Sequence, residues 1–235
     1  MAIAYFSLPT GNVQVMNDVC AFPAVENALV SPNGLLAIGG SLNASRLLEA
    51  YSKGIFPWFS ENEPVLWWSP NPRLVLMPDE LKISHSLAKR LKKKDYEFTV
   101  NTSFTEVIHS CASARRPGQN GTWITNQVID GYTELFKLGY AHSFEIWIDN
   151  ELAGGLYGVA LGKVFFGESM FHRVTDASKI AFVHMVQHIR NKGFKMIDCQ
   201  MKTSHLISLG AREISRKEFS RSLTKLVECN YDDAK

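Results

Sequence analysis

From Arg73 onward the apolar positions of this chain switch repeatedly between a period of two and a period near 3.6, as strands interleaved with helices do. Leu74-Val75-Leu76 and residues 96–100 read as strands, and Ser84 can cap a helix carrying Leu87 and Leu91. The spacing of Phe104, Val107, Ile108 and Cys111 predicts a helix over 104–113. Val128, Ile129, Tyr132, Leu135 and Phe136 predict another, stopped by Gly139. Residues 142–149 alternate as a half-buried strand does, and Asp149-Asn150 turns the chain. A strand over 152–161 follows, interrupted by Gly154, Gly155 and Gly158; Leu161-Gly162-Lys163 then turns into Val164-Phe165-Phe166. These three strands predict an antiparallel meander. A helix over 176–191, capped by Thr175 or Asp176, carries Phe182, Met185, Val186 and Ile189 and crosses to a strand at 195–200. A last helix, 216–228, carries Phe219, Leu223 and Leu226. The sum is a mixed α/β (α+β) sandwich.

The first seventy residues follow a different grammar. Turn formers (Pro32-Asn33-Gly34, Gly39-Gly40) and aromatics dominate, and a short helix at 44–53 presents Leu47, Leu48 and Tyr51 on one face. A small N-terminal domain, 1–70, ahead of a catalytic one, 71–235, is the expected division. Trp58, Trp67 and Trp68 fall within eleven residues. Core packing accounts for any one of them; together they also suit an aromatic surface for a flat ligand such as a base.

The meander ends in Gly167-Glu168-Ser169-Met170-Phe171 and the next strand in Ile197-Asp198-Cys199-Gln200. A carboxylate buried among Phe, Met and Ile is costly unless paired or used, so Glu168 and Asp198 point to a site that handles a proton or cation beside an apolar pocket. Strand alternation puts Asp198 and Gln200 on one face and Cys199 on the other; pairing of Asp198 with an Arg is the plainer alternative. His184 and His188 share a helix face, but Met185 stands where a zinc protease needs Glu. Gly154-Gly155-Leu156-Tyr157-Gly158 lies within a strand and is no dinucleotide fingerprint; its missing Cβ atoms permit a bulge or a close approach. No metal is expected.

Composition narrows the picture further. The chain has 235 residues, 46% hydrophobic, and a net charge of +2, so bulk charge demands no nucleic-acid partner. Local clusters at Lys89–Lys94, at Arg115-Arg116 and around Arg212, Arg216, Lys217 and Arg221 read as solvated faces or, more sharply, as phosphate contacts. Cys20, Cys111, Cys199 and Cys229 form no Cys-x-x-Cys pair and are expected as reduced thiols. With no signal peptide and no membrane-length apolar stretch, a cytoplasmic protein is expected.

These residues carry a resemblance. Pro32–Gly40, Tyr51–Phe59, Trp67-Trp68-Ser69-Pro70, Gly121-Thr122-Trp123-Ile124-Thr125, Gly154–Gly158, Gly167–Phe171, Ile197–Gln200 and Ser208-Leu209-Gly210-Ala211 closely resemble, in order, segments of bacterial leucyl/phenylalanyl-tRNA–protein transferases. The resemblance implies a GNAT-like acyltransferase sandwich that uses no cofactor. It implies transfer of Leu or Phe, sometimes Met, from aminoacyl-tRNA to proteins beginning with Arg or Lys, which marks them for degradation by the N-end pathway. It also implies an aminoacyl pocket around Trp58, Leu156, Phe165, Met170 and Met185, with Trp123 stacking on the terminal adenine. Asp198, Gln200 and Glu168 would form the reaction centre, with Tyr51 and Tyr132 nearby. Leu156 and Met185 stand where the family often has Met and Phe, so the Leu-to-Phe preference is open to a shift. A monomer is expected. Two rival readings are an acyl-CoA-dependent N-acyltransferase, which should carry a glycine-rich turn where this chain has Arg173–Ser178 without glycine, and an RNA-binding module built on Trp67, Trp68 and Trp123.

Overall fold

The fold comes from a computed structural model that describes residues 4–114 and 122–228. Arg115, Arg116, the Gly/Pro/Arg loop through Gly121, and Cys229 lie outside the described residues. The chain first forms β1 (Tyr5–Leu8), β2 (Gly11–Met16) and β3 (Leu35–Gly39), then α1 (Ala44–Ser52), β4 (Phe56–Pro57) and β5 (Leu66–Trp68). These strands make one sheet in the order β1-β2-β3-β5-β4. Asn43 caps α1 by accepting the Arg46 amide. The sequence pattern revealed α1 but not this sheet. Its strands are short, and Trp67 and the Gly-rich turns hide the alternation.

The chain continues as β6 (Arg73–Leu76), α2 (His85–Lys92), β7 (Glu97–Val100), α3 (Phe104–Ser113) and α4 (Asn126–Lys137). Next come β8 (Ala141–Ile148), β9 (Glu151–Leu161), β10 (Val164–His172), α5 (Ala177–Asn191) and β11 (Met196–Gln200). It closes with α6 (Ser204–Ser208), β12 (Arg212–Ile214) and α7 (Arg216–Val227). The second sheet runs β12-β6-β11-β10-β9-β8-β7. β8, β9 and β10 form the expected antiparallel meander, and α5 crosses over so that β11 lies parallel to β10. The β8–β9 turn uses Asp149 and Asn150 at φ 52° and 64°, the left-handed pair of a type I′ hairpin turn.

The sheet is covered on both faces, which corrects the half-buried reading of β8. Phe144, Leu156, Ala160 and Phe165 pack with α5 in one cluster; Tyr157, Val159 and Phe166 pack with α3 and α4 in the other, which also takes in Leu47, Tyr51 and Trp67 of the first sheet region. Even Glu145 is buried on β8, where Thr99, Thr102 and Ser143 donate hydroxyl hydrogen bonds to it. The glycines do not interrupt β9. A Cβ on Gly154 would lie 2.7 Å from the Ala177 Cβ, so its absence lets the start of α5 approach the sheet. Asp176 holds the N-cap position of α5 but does not cap it; its backbone is left-handed and its carboxylate takes Lys179 instead, at 2.8 Å.

Candidate active site

Two neighbouring strands part in the middle of the large sheet. β10 and β11 pair only from Val164–Phe166 to Met196–Asp198. Beyond that point each carries an irregularity: β10 gains an extra residue between Gly167 and Ser169, against β9, and β11 one between Asp198 and Gln200, against β6. The inserted residues are Glu168 and Cys199. Bulges re-aim side chains, and here they break the alternation that the sequence suggested. A cavity of about 900 Å³ opens between the separated strands.

Glu168 stands at the polar end of this cavity. Its Oε1 accepts from the Tyr51 hydroxyl at 2.8 Å and from the Gln200 side-chain amide at 2.9 Å; its Oε2 accepts from the Tyr132 hydroxyl at 3.0 Å. The two tyrosine hydroxyls also contact each other. All three donors are neutral. Burial pushes the Glu168 carboxyl up to about 7; the hydrogen bonds oppose that rise and the nearby Asp198 charge adds to it. Burial, reinforced by the Glu168 charge, raises both tyrosines well above their ordinary value, so at neutral pH they remain hydroxyl donors.

Asp198 does not project into the cavity with Gln200, contrary to the strand alternation. It is fully buried, with Oδ1 accepting from Arg73 Nε at 2.8 Å and Oδ2 from Arg73 Nη2 at 2.7 Å. The bulge and a left-handed Gln200 (φ 59°) turn that side chain away towards Glu168. The Gln200 amide N–H then donates back to Asp198 Oδ1 at 2.9 Å. Cys199 lines the cavity, and burial raises its thiol far above the ordinary range, which suits it to packing rather than to nucleophilic attack.

Of the other residues singled out from the sequence, Trp58, Trp123, Leu156, Met170 and Met185 line the cavity. Tyr51 and Tyr132 are buried behind Glu168 and reach it through their hydroxyls. Phe165 is not on the wall. It sits in the core beneath, edge-on to Phe144. Nor do the three clustered tryptophans make one surface: Trp67 is buried and donates to the Gly39 carbonyl, while Trp68 backs Trp58. The sequence reading missed Phe182 and His205 on the wall. Phe182 looked like part of the core stripe of α5, and nothing in the pattern marked α6. The site thus joins an apolar chamber to a carboxylate that changes charge near neutral pH, an arrangement able to hold an ammonium group and take its proton.

A family model described as leucyl/phenylalanyl-tRNA protein transferase matches residues 75–224, and the model of that family's N-terminal domain matches residues 40–71. Proteins named leucyl/phenylalanyl-tRNA–protein transferase are similar to the chain. The one from Nitrosospira multiformis is 61% identical over 210 residues, 89% of each chain. The one from Chromobacterium violaceum is 60% identical over 206 residues, 88% of each. Among solved structures, FemX shares the fold at a TM-score of 0.51 and 10% identity, covering 90% of this chain and 81% of its own.

Proposed function

The chain belongs to the leucyl/phenylalanyl-tRNA protein transferase family, and from that membership we propose that it moves Leu or Phe, and sometimes Met, from aminoacyl-tRNA to the α-amino group of proteins beginning with Arg or Lys. The observation that carries this reading is Glu168, held by Tyr51, Tyr132 and Gln200 at the head of an apolar cavity. The product is marked for degradation by the N-end pathway. Charged tRNA is the donor, so the reaction belongs in the cytoplasm.

The chemistry asks little of the protein. The ester between amino acid and tRNA is already activated. An α-amino group has a pKa of about 7.7–8.0, so a carboxylate titrating near 7 is matched to take its proton. In this reading the Leu or Phe side chain fills the chamber bounded by Trp58, Leu156, Met170 and Met185, and Trp123 stacks on the terminal adenine. Glu168 and the Gln200 amide oxygen hold the acceptor's ammonium, and Glu168 accepts one proton. The free amine attacks the ester carbonyl, the C–N bond forms, and the C–O bond to the ribose breaks. The second amine proton leaves with the ribose oxygen. Holding both reactants in one cavity supplies much of the rate. Asp198 acts from behind, by orienting Gln200, and the carboxylates suit an acceptor that begins with a cation.

The test is incubation of the purified protein with Leu-charged tRNA and a peptide beginning with Arg, followed by mass measurement. The peptide gains one Leu residue. Transfer from acetyl-CoA instead, or binding of charged tRNA without turnover, would overturn the reading.

A further inference from the structure

We propose that Arg73 is a positioning residue of the transfer reaction, clamping Asp198 so that the strained Gln200 backbone is fixed and its amide is aimed at Glu168. The inference rests on the reading of Glu168 and Gln200 given above. Arg73 is the first residue of β6 and is almost wholly buried, as is Asp198 on the neighbouring strand β11. Two parallel N–H···O bonds, 2.8 and 2.7 Å, join them. This fork geometry fixes both the distance and the plane of the carboxylate. The plane matters because the same Oδ1 that takes Arg73 Nε also takes the Gln200 amide N–H, at 2.9 Å. Gln200 is held left-handed, at φ 59°, a conformation uncommon for residues other than glycine and costly unless the surroundings fix it.

The guanidinium is fixed in turn. Its carbon lies 4.8 Å from the centre of the Phe56 ring and 4.6 Å from that of Phe219, between the first sheet and the C-terminal helix α7. Phe56 itself lines the cavity. Arg73 Nη1 is buried with no hydrogen-bond partner among the described residues. A buried ion pair with an unsatisfied N–H is a poor source of stability. What the pair holds in place explains it better: it runs from the packing of β4 and α7, through Asp198 and the Gln200 amide, to the carboxylate at the cavity.

Arg73→Lys keeps the charge and loses the fork. It is expected to lower kcat on the order of 10- to 100-fold while KM for charged tRNA stays within about twofold. Hydrogen exchange of the Gln200 backbone amide, followed by NMR without any turnover, is expected to speed up, so this arm stands even if the transfer reading fails. The double variant Arg73→Lys/Asp198→Asn is expected to be no slower than the slower single variant. Phe219→Leu loosens the stacking and leaves both charges paired; a severalfold fall in kcat at unchanged KM is expected, and this variant decides if Arg73→Lys does not fold. Wild-type kcat in the folded variants, additive losses in the double variant, or unchanged Gln200 exchange would each overturn the proposal.

Discussion

The bulge of β10 carries a half-buried carboxylate, Glu168, and the bulge of β11 is flanked by a fully buried one, Asp198, and the two are treated in opposite ways. Glu168 is surrounded by neutral donors from Tyr51, Tyr132 and Gln200 and opens onto the cavity. Asp198 is sealed against a guanidinium and opens onto nothing. Without a cation beside it, a buried carboxylate is easily protonated, and Glu168 titrates near 7. Asp198, with its cation, is a fixed strut. Two acids that look equivalent in sequence thus divide the work between proton handling and alignment, and environment rather than residue type assigns the roles.

The comparison breaks most visibly at Glu168. Glu168→Gln removes the proton acceptor and keeps the shape, so transfer is expected to fall by about 100-fold or more. Wild-type kcat/KM is expected to drop as pH falls through about 7, because the carboxylate is then protonated. In the variant that limb disappears, leaving the titration of the acceptor amine near pH 8. Stability moves the other way. A folded pKa above the ordinary value of 4.5 means that the contribution of Glu168 is present below that value and is lost as pH rises through about 7. Glu168→Gln is therefore expected to raise Tm relative to wild type at pH 8 and not at pH 4. An unchanged pH profile would remove Glu168 from the proton transfer.

Asp198→Ala tests the opposite pole. Transfer is expected to fall by about 100-fold through misalignment of Gln200, with charged tRNA still bound nearly as in wild type. The variant also strands Arg73, and breaking a buried pair costs roughly 3–5 kcal/mol. That corresponds to a fall in Tm on the order of 10 °C in a protein of this size. Glu168→Gln and Asp198→Ala should therefore differ in the sign of their stability effect at pH 8, which melting curves resolve directly. A smaller effect sharpens the apolar side of the site: Trp123→Ala is expected to weaken binding of an aminoacyl-adenosine fragment about tenfold, as lost base stacking does. Unchanged affinity in calorimetry would rule out the stacking role.

How much of this was legible beforehand depended on period. α3, the meander and α5 were readable because Phe104–Cys111, the Asp149-Asn150 turn and Phe182–Ile189 keep one register over many residues. The first sheet was not, because two- and three-residue strands such as Phe56–Pro57 and Leu66–Trp68 carry no period. At the site, the residue types were legible and the directions were not. Alternation presumes a regular ladder, and the insertions at Glu168 and Cys199 are where regularity fails. An Arg partner for Asp198 was among the expectations, but nothing in the pattern marked Arg73 as that partner, since the two lie 125 residues apart. Local rules fail at a functional site because the side chains there are aimed by strain and by distant partners.

Phe165 and Met185 give the finest version of the contrast between wall and core. Both are apolar and buried, and the family resemblance put both in the aminoacyl pocket. Only Met185, on α5, borders the cavity; Phe165 packs beneath it against Phe144. Met185→Phe is expected to shorten the chamber and shift the ratio of Leu to Phe transfer about fivefold towards Leu, within the 1–3 kcal/mol that an apolar wall can discriminate. Phe165→Leu is expected to leave that ratio unchanged and lower stability by about 1 kcal/mol, seen as a Tm shift of a few degrees. Competition between Leu-tRNA and Phe-tRNA for one peptide measures both. A ratio that moves with Phe165 and not with Met185 would mean that the substrate side chain reaches through the wall into the core, and that the chamber seen between β10 and β11 is not where the aminoacyl group sits.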